Sequence, residues 1–318
     1  MTANKNRRTG SSKPKTLRTS EIRTWISSRK PFSHKGDYGH VLILAGSKGM
    51  SGAAVLSARG ALRSGAGLVT VATPASQQPI VAGCLQECLT VPLPETREGS
   101  ISLNAMETLQ DLTRQKRFTS ILIGPGLSTH PDTVAFIQAF LRHFPIPTVV
   151  DADALNAYQA SSNLDLRIRN LSEGAAPLIL TPHPGEISRL LGNTVREVMK
   201  DRIGCAAQVA GVAHAICVLK GHQTLITDGL QTYLNPTGNP GMATGGSGDV
   251  LAGAMAAWIP QIFHAGRPLG RLLKAAALSA YLHGAAGDLA AKEVGPVGLK
   301  ASDIADFLPR AYQTLKVR

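Results

Sequence analysis

The chain has 318 residues and a formal net charge of +12, with 43% hydrophobic but only 4% aromatic residues. That length and apolar content fit one large α/β domain or two small ones, with a sizeable core. No apolar run is long enough to span a membrane and no apolar signal core stands near the start, so neither a membrane span nor a secretory signal is expected.

The charge is uneven. Residues 1–35 carry ten Lys or Arg against Glu21 alone, so +9 of the total lies there. Residues 1–19 read as a basic flexible leader, and 20–318 as a single domain. The leader has three readings: a solubilising tail, an electrostatic tether or an organelle-targeting segment. Nucleic-acid binding is not expected of the nearly neutral body. Cys84, Cys88, Cys205 and Cys217 form no Cys-x-x-Cys motif and read as reduced packing residues of a cytoplasmic protein.

After the leader, residues 20–35 read as a short helix and a connecting loop. His40-Val-Leu-Ile-Leu-Ala45 is a strand, Gly46 to Gly52 a turn, Ala53 to Arg63 a helix and Leu68 to Thr73 the next strand. Strand, glycine loop, helix and strand make a βαβ unit of a parallel sheet. Ile121 to Gly124 is a strand, Pro131 to His143 a helix and Thr148 to Asp151 a strand. Leu178 to Leu180 runs into Thr181-Pro-His-Pro-Gly-Glu186, a turn fixed by two prolines. Val195 to Val212 is helical and Ala215 to Lys220 a strand. Thr224 to Thr227 and Thr232 to Leu234 are short strands around Asp228-Gly229. Asp249 to Trp258, Leu269 to Ala286 and Ser302 to Leu308 are helices. The fold expected is an αβα domain with its ligand loops at the carboxyl ends of the strands.

The chemistry concentrates in Asn235-Pro-Thr-Gly-Asn-Pro-Gly-Met-Ala-Thr-Gly-Gly-Ser-Gly-Asp249, which opens an apolar helix. Gly245, Gly246, Ser247 and Gly248 read as an anion cradle of backbone N–H groups. Asp249 either caps the helix or also takes the proton of an attacking hydroxyl; a cap would hold it beside the free N–H groups, so the two roles are compatible. Lys220 either neutralises a phosphate or is a surface lysine at a strand end. His183, between two prolines, either meets substrate or makes a structural hydrogen bond. Glu186 either caps the following helix or reaches magnesium through water. Asp151 and Asp153 either cap turns or organise water or magnesium, and Asn156 would point inward from a helix start. Met50 and Met242 read as packing residues. Neither Gly-x-Gly-x-x-Gly in its expected place nor Gly-x-x-x-x-Gly-Lys-Ser/Thr is present, which disfavours dinucleotide-fold and P-loop readings.

Several motifs occur in a shared order: Lys35-Gly-Asp-Tyr-Gly-His40, Ala45-Gly-Ser, Gly52-Ala-Ala, Arg63-Ser-Gly-Ala-Gly-Leu-Val-Thr70, Gly124-Pro-Gly126, Asp151-Ala-Asp153, His183-Pro-Gly-Glu186, Lys220-Gly221 and Asn239 through Asp249. Together they resemble the ADP-dependent NAD(P)H-hydrate dehydratase family, the carboxy-terminal domain type of the YjeF proteins in the ribokinase-like superfamily. The resemblance implies a three-layer αβα sandwich with a mostly parallel central sheet. It implies ADP-dependent dehydration of (6S)-NADHX and (6S)-NADPHX, with Mg2+, releasing AMP and phosphate. On that resemblance Ala54, Gly126, His183 and Asp249 touch the hydrate, Asp249 being the catalytic residue. Lys220, Gly221, His222, Gln223, Thr224 and Gly248 approach the nucleotide; the magnesium ligands are left open. A homo-oligomer, with a tetramer as one form, and a separate epimerase for the R epimer are also implied. The competing readings are a ribokinase-like kinase of another hydroxylated metabolite and a catalytically silent nucleotide-binding scaffold.

Overall fold

Short runs of branched apolar residues build the sheet, and small-residue helices cover it. The computed structural model describes residues 13–159, 174, 176–262 and 268–316. Its strands are β1 (Lys15–Thr16), β2 (His40–Leu44), β3 (Leu68–Pro74), β4 (Leu89–Leu93), β5 (Ser120–Ile123), β6 (Thr148–Val150), β7 (Leu178–Leu180), β8 (Ile216–Leu219), β9 (Leu225–Thr227) and β10 (Thr232–Leu234). They form one sheet in the order β1-β10-β9-β8-β7-β6-β5-β2-β3-β4. All pairings are parallel except those of β9, which runs antiparallel to β8 and β10.

The helices are α1 (Thr19–Arg23), α2 (Ser51–Arg63), α3 (Gln78–Cys84), α4 (Ala105–Gln115), α5 (Pro131–His143), α6 (Asp153–Asn156), α7 (Pro184–Leu191), α8 (Val195–Lys200), α9 (Arg202–Ala213), α10 (Ser247–Gln261), α11 (Pro268–Val294) and α12 (Ala301–Thr314). Alternation along the strands divides the core between the two faces. Val41, Ile43, Val149 and Val218 join residues of α2, α10, α11 and α12. Leu42, Leu44, Val150 and Leu219 join Leu109, Phe136, Phe140, Leu190 and Val209 on the other face. Helices on both faces explain why β2, β5, β6, β7 and β8 are buried at every position.

The first core is tightest where α2 crosses α10. A methyl at Gly60 would overlap the Val250 carbonyl, and one at Gly253 the Ser57 carbonyl. Two glycines thus let the helix backbones touch and fix where the N-terminus of α10 emerges.

Several sequence expectations change. The leader stops short of residue 19: Lys15 and Thr16 pair with Tyr233 and Leu234, and Leu17 is buried. Its first twelve residues lie outside the described set. Residues 195–212 form two helices, because Asp201 leaves the helical backbone and its Oδ1 accepts from Gly204 N. The proline turn is shorter than expected, since Pro184 already occupies the first position of α7, which suits its fixed φ. The sequence reading passed over α3, β4 and α4; β4 contains Pro92 and lies at the sheet edge, where alternation is weak. Cys84 and Met50 are exposed rather than packed.

Candidate active site

Five parallel strands end on one side of the sheet, and their ends carry the candidate residues. β2 leads to Gly46 and Ser47, β5 to Gly124 and Gly126, β6 to Asp151, β7 to Thr181 and His183, and β8 to Lys220. The chain runs outward from β2 to β4 and then returns to β5 on the other side of β2. That reversal opens a crevice at the carboxyl ends, the usual ligand position in open α/β sheets. Across it Gly46 N donates to Pro125 O at 2.9 Å, and Ser47 Oγ donates to Gly126 O at 2.8 Å.

The glycine-rich loop of residues 235–248 enters from the α10 side. Gly246 is the N-cap in a left-handed conformation, φ 86°, and no side chain caps the helix. The first turn therefore keeps unpaired N–H groups and the positive end of the helix dipole for an incoming anion. Asp249 lies in that first turn.

The charges beside it form one cluster. Lys220 Nζ donates to Asp151 Oδ1 at 2.7 Å and lies 3.7 Å from Glu186 Oε2. Thr181 Oγ1 donates to the same Asp151 oxygen at 2.7 Å. Lys220 is thus no surface lysine: its side chain is 18% exposed and that of Asp151 only 2%. Burial alone would lower the Lys220 pKa, but Asp151 and Glu186 outweigh it and raise the value. The ammonium also reaches the glycine-rich loop, since an added methyl at Gly248 would lie 3.5 Å from Lys220 Nζ.

Burial, reinforced by the Asp151 charge and opposed by Lys220, pushes the Asp249 pKa up to about 7. A carboxyl poised there can accept a hydroxyl proton near neutral pH. Burial likewise raises Glu186, against the pull of Lys220.

His183 turns out to be an N-cap. Its Nδ1 accepts from Gly185 N at 3.0 Å, while its own backbone N–H donates to Glu186 Oε2 at 2.7 Å. Nε2 then carries the proton, 3.3 Å from Glu186 Oε1. Burial, then the Lys220 charge, lower its pKa and favour this neutral form. Glu186 therefore caps its own helix and faces Lys220 at once.

Other expected residues are scattered more widely. Ala54 is fully buried in α2, beside the end of β2: a methyl added at Gly46 would lie 3.3 Å from its Cβ. His222 and Gln223 are exposed in the β8–β9 turn, and Thr224 Oγ1 donates to Gly221 O at 3.1 Å. Asp153 accepts from Ser128 N, and Asn156 bridges Asp153 and Arg189. The sequence reading missed Arg202, whose guanidinium donates to His222 O at 2.7 Å and Gln223 O at 3.3 Å. No local sequence signal pairs a helix-start arginine with a turn twenty residues away.

Among the described residues no three His, Cys, Asp or Glu side chains converge to cage a metal ion. No described helix is long and apolar enough to cross a membrane. A groove of about 1000 Å³ lined by Arg29, Tyr38, Trp258 and Tyr312 lies at the opposite end of α10 and holds none of the charged cluster.

The family model described as NAD(P)H-hydrate dehydratase matches residues 41–310. The bifunctional NAD(P)H-hydrate repair enzyme Nnr of Moorella thermoacetica is 46% identical over 92% of this chain and 53% of its own length. The chain thus spans about half of that relative. The crystal structure of ADP/ATP-dependent NAD(P)H-hydrate dehydratase from Bacillus subtilis, co-crystallized with ATP/Mg2+, superposes with a TM-score of 0.78 at 31% identity, covering 95% of this chain and 99% of that one. A ribokinase-like superfamily protein of Enterococcus faecalis shares the fold, with a TM-score of 0.77 at 23% identity over all of both chains. Matched by the family model over most of its length and sharing nearly half its residues with one relative, the chain belongs to the NAD(P)H-hydrate dehydratase family and has its ribokinase-like fold.

Proposed function

We propose that the chain dehydrates (6S)-NADHX and (6S)-NADPHX using ADP, returning NADH and NADPH with AMP and phosphate. The observation that carries this reading is Asp249, held in the first turn of an uncapped helix beside Lys220, with its pKa raised to about 7. The ring hydroxyl of the hydrate would give its proton to Asp249 as its oxygen attacks the β-phosphorus of ADP. AMP leaves with the electrons of the broken P–O bond. The ring nitrogen then expels phosphate by pushing its lone pair toward C6, and loss of a proton from the adjacent ring carbon restores the reduced nicotinamide. The N–H groups around Gly245, Gly246, Ser247 and Gly248 would stabilise the transferring charge, with Lys220 behind them.

The donor set fits magnesium held mainly through phosphate oxygens and water, since the ion keeps several waters and needs few protein ligands. Glu186 and Asp249 supply hard oxygens beside the loop, whereas Asp151 is engaged by Lys220 and Thr181. When bound, magnesium would neutralise phosphate charge. Gly221 to Thr224, braced by Arg202, would receive the nucleotide. Gly126 and His183, at the ends of β5 and β7, would border the hydrate. Free thiols, with Cys84 exposed, support a reducing, cytoplasmic location. A homotetramer and a separate epimerase belong to the same reading, and exposed Phe32 and Val297 offer apolar contact surface.

The test is purified protein with (6S)-NADHX, Mg2+ and either ADP or ATP, recording reduced nicotinamide and nucleotide product. Recovery of NADH with equimolar AMP is expected with ADP. A stable phosphorylated product of another metabolite, without NADH recovery, would favour a kinase instead.

A further inference from the structure

The anion loop is fastened along one face of α11. Asn235 Nδ2 donates to Ala280 O at 3.0 Å, and Thr237 Oγ1 to Tyr281 O at 2.8 Å. A methyl at Gly284 would overlap Thr237, and one at Gly287 would overlap the Met242 side chain. One turn further along, both oxygens of Asp288 meet the loop. Oδ2 accepts from Gly238 N at 2.9 Å, and Oδ1 accepts from Asn239 Nδ2 at 3.0 Å. Asn239 in turn accepts from Gly241 N at 3.0 Å and caps the short helical turn at 240–242. Nearer the site, His283 is buried on the same helix.

These contacts recur at positions 280, 281, 284, 287 and 288, the spacing of one helical face. Asp288 differs from the others in kind. Among the described residues it forms no salt bridge, and its two hydrogen bonds both go to the loop. Charge-assisted bonds to an otherwise unpaired carboxylate are the stronger ones in such a set. The segment they anchor runs from residue 238 to the start of α10, where the cradle and Asp249 begin.

We propose that Asp288 is a positioning residue that sets the anion loop, and so the catalytic alignment of Asp249, by gripping Gly238 and Asn239 from α11. The inference rests on the reading of Asp249 as the proton acceptor. Asp288 touches no reacting atom; it fixes the path of the loop leading to those that do. Small misplacements of reacting groups cost on the order of 10²-fold in rate, so a grip of this kind acts on kcat before it acts on nucleotide affinity.

The experiment uses the full chain and compares wild type, Asp288→Asn, Asn239→Asp and the double variant. In Asp288→Asn an amide N–H₂ replaces one acceptor and meets a loop donor. In the double variant the polarity is exchanged: Asn at 288 accepts from Gly238 N and donates to the carboxylate at 239. Turnover with (6S)-NADHX, Mg2+ and ADP is measured with ADP affinity, melting temperature and amide hydrogen exchange across 238–248. Expected are a kcat loss of roughly 10- to 100-fold in Asp288→Asn, ADP affinity within about twofold, faster loop exchange, and recovery of both kcat and exchange in the double variant. Unchanged kcat and exchange in Asp288→Asn would overturn the proposal. So would a kcat loss that the double variant does not repair, or that follows melting temperature alone. If Asp288→Asn does not fold, Asn239→Ser removes the same bond from the loop side and carries the comparison. Should wild type show no turnover, the reaction is wrong, and loop exchange still decides whether Asp288 holds the loop.

Discussion

Lys220 and Asp151 meet at 2.7 Å across the end of β7, joining the carboxyl ends of β8 and β6. Thr181, at the end of β7 itself, donates to the same Asp151 oxygen. One lysine thus balances Asp151 and Glu186 while its ammonium abuts Gly248. Breaking such a buried pair from one side leaves an uncompensated charge, which costs about 3–5 kcal/mol. Lys220→Met should therefore lower unfolding stability by roughly that amount, as well as impair donor use. Adding Asp151→Asn should restore a large part of the stability in denaturant melts. A stable Lys220→Met single variant would contradict this account of the cluster.

Asp249→Asn removes the proposed proton acceptor but keeps the shape of the first turn. Turnover should fall on the order of 10²- to 10⁴-fold, with ADP binding retained in calorimetry. Near-normal turnover would exclude Asp249 as the base.

The raised pKa of Asp249 gives two pH effects. The proposed base works only when ionised, so kcat/KM should fall about tenfold per unit below pH 7 and level off above it. Its folded pKa stands above the unperturbed 3.8, so the native state binds the proton more tightly than the unfolded chain. Stability from this group is full below about pH 4 and is lost as pH rises to about 7. Asp249→Asn should then be more stable than wild type at pH 8, by roughly 4 kcal/mol, and the two should converge near pH 3. A lower melting point for the variant at pH 8 would refute the burial argument.

Arg202 braces the β8–β9 turn through the His222 and Gln223 carbonyls. Gln223 is held at φ 51°, a conformation that side-chain-bearing residues seldom adopt. Arg202→Ala should raise the KM for ADP roughly tenfold, in keeping with the loss of charge-assisted hydrogen bonds, and leave kcat near wild type. A change in kcat alone would place Arg202 elsewhere in the cycle.

The boundary of the leader is also testable. A variant starting at residue 13 should keep turnover and melting temperature. One starting at residue 19 loses the β1–β10 pairing and the burial of Leu17. It should lose about 1.5–3 kcal/mol, the range for one buried leucine, measured by thermal or urea melts. Equal melting of the two would show that β1 adds nothing.

Much of the sheet was legible because a strand covered on both faces leaves a continuous apolar run. Leu178–Leu180 and Thr232–Leu234 fall where the sequence places them, as does α5, with Pro131 at its first turn and Phe136 and Phe140 one turn apart. The leader was less legible: a basic composition predicts solvation, whereas Lys15 and Thr16 use only their backbone to pair with β10. Asp201 was missed for a related reason. Its side chain competes with the helix by accepting a local N–H, and helical periodicity on either side conceals that choice.

The sequence by itself determined the local pattern: a glycine-rich loop opening α10 on Asp249, and the apolar runs that make a parallel sheet. Those features depend on neighbouring residues, through backbone freedom and the periodicity of burial. Only the tertiary structure decided that Lys220 is buried against Asp151 and Glu186, that His183 uses its Nδ1 as a cap, that Arg202 lies under the β8–β9 turn and that Asp288 bonds the loop. Each depends on which strand ends and helix faces the sheet order brings together, and on the burial that then makes an unpaired charge costly.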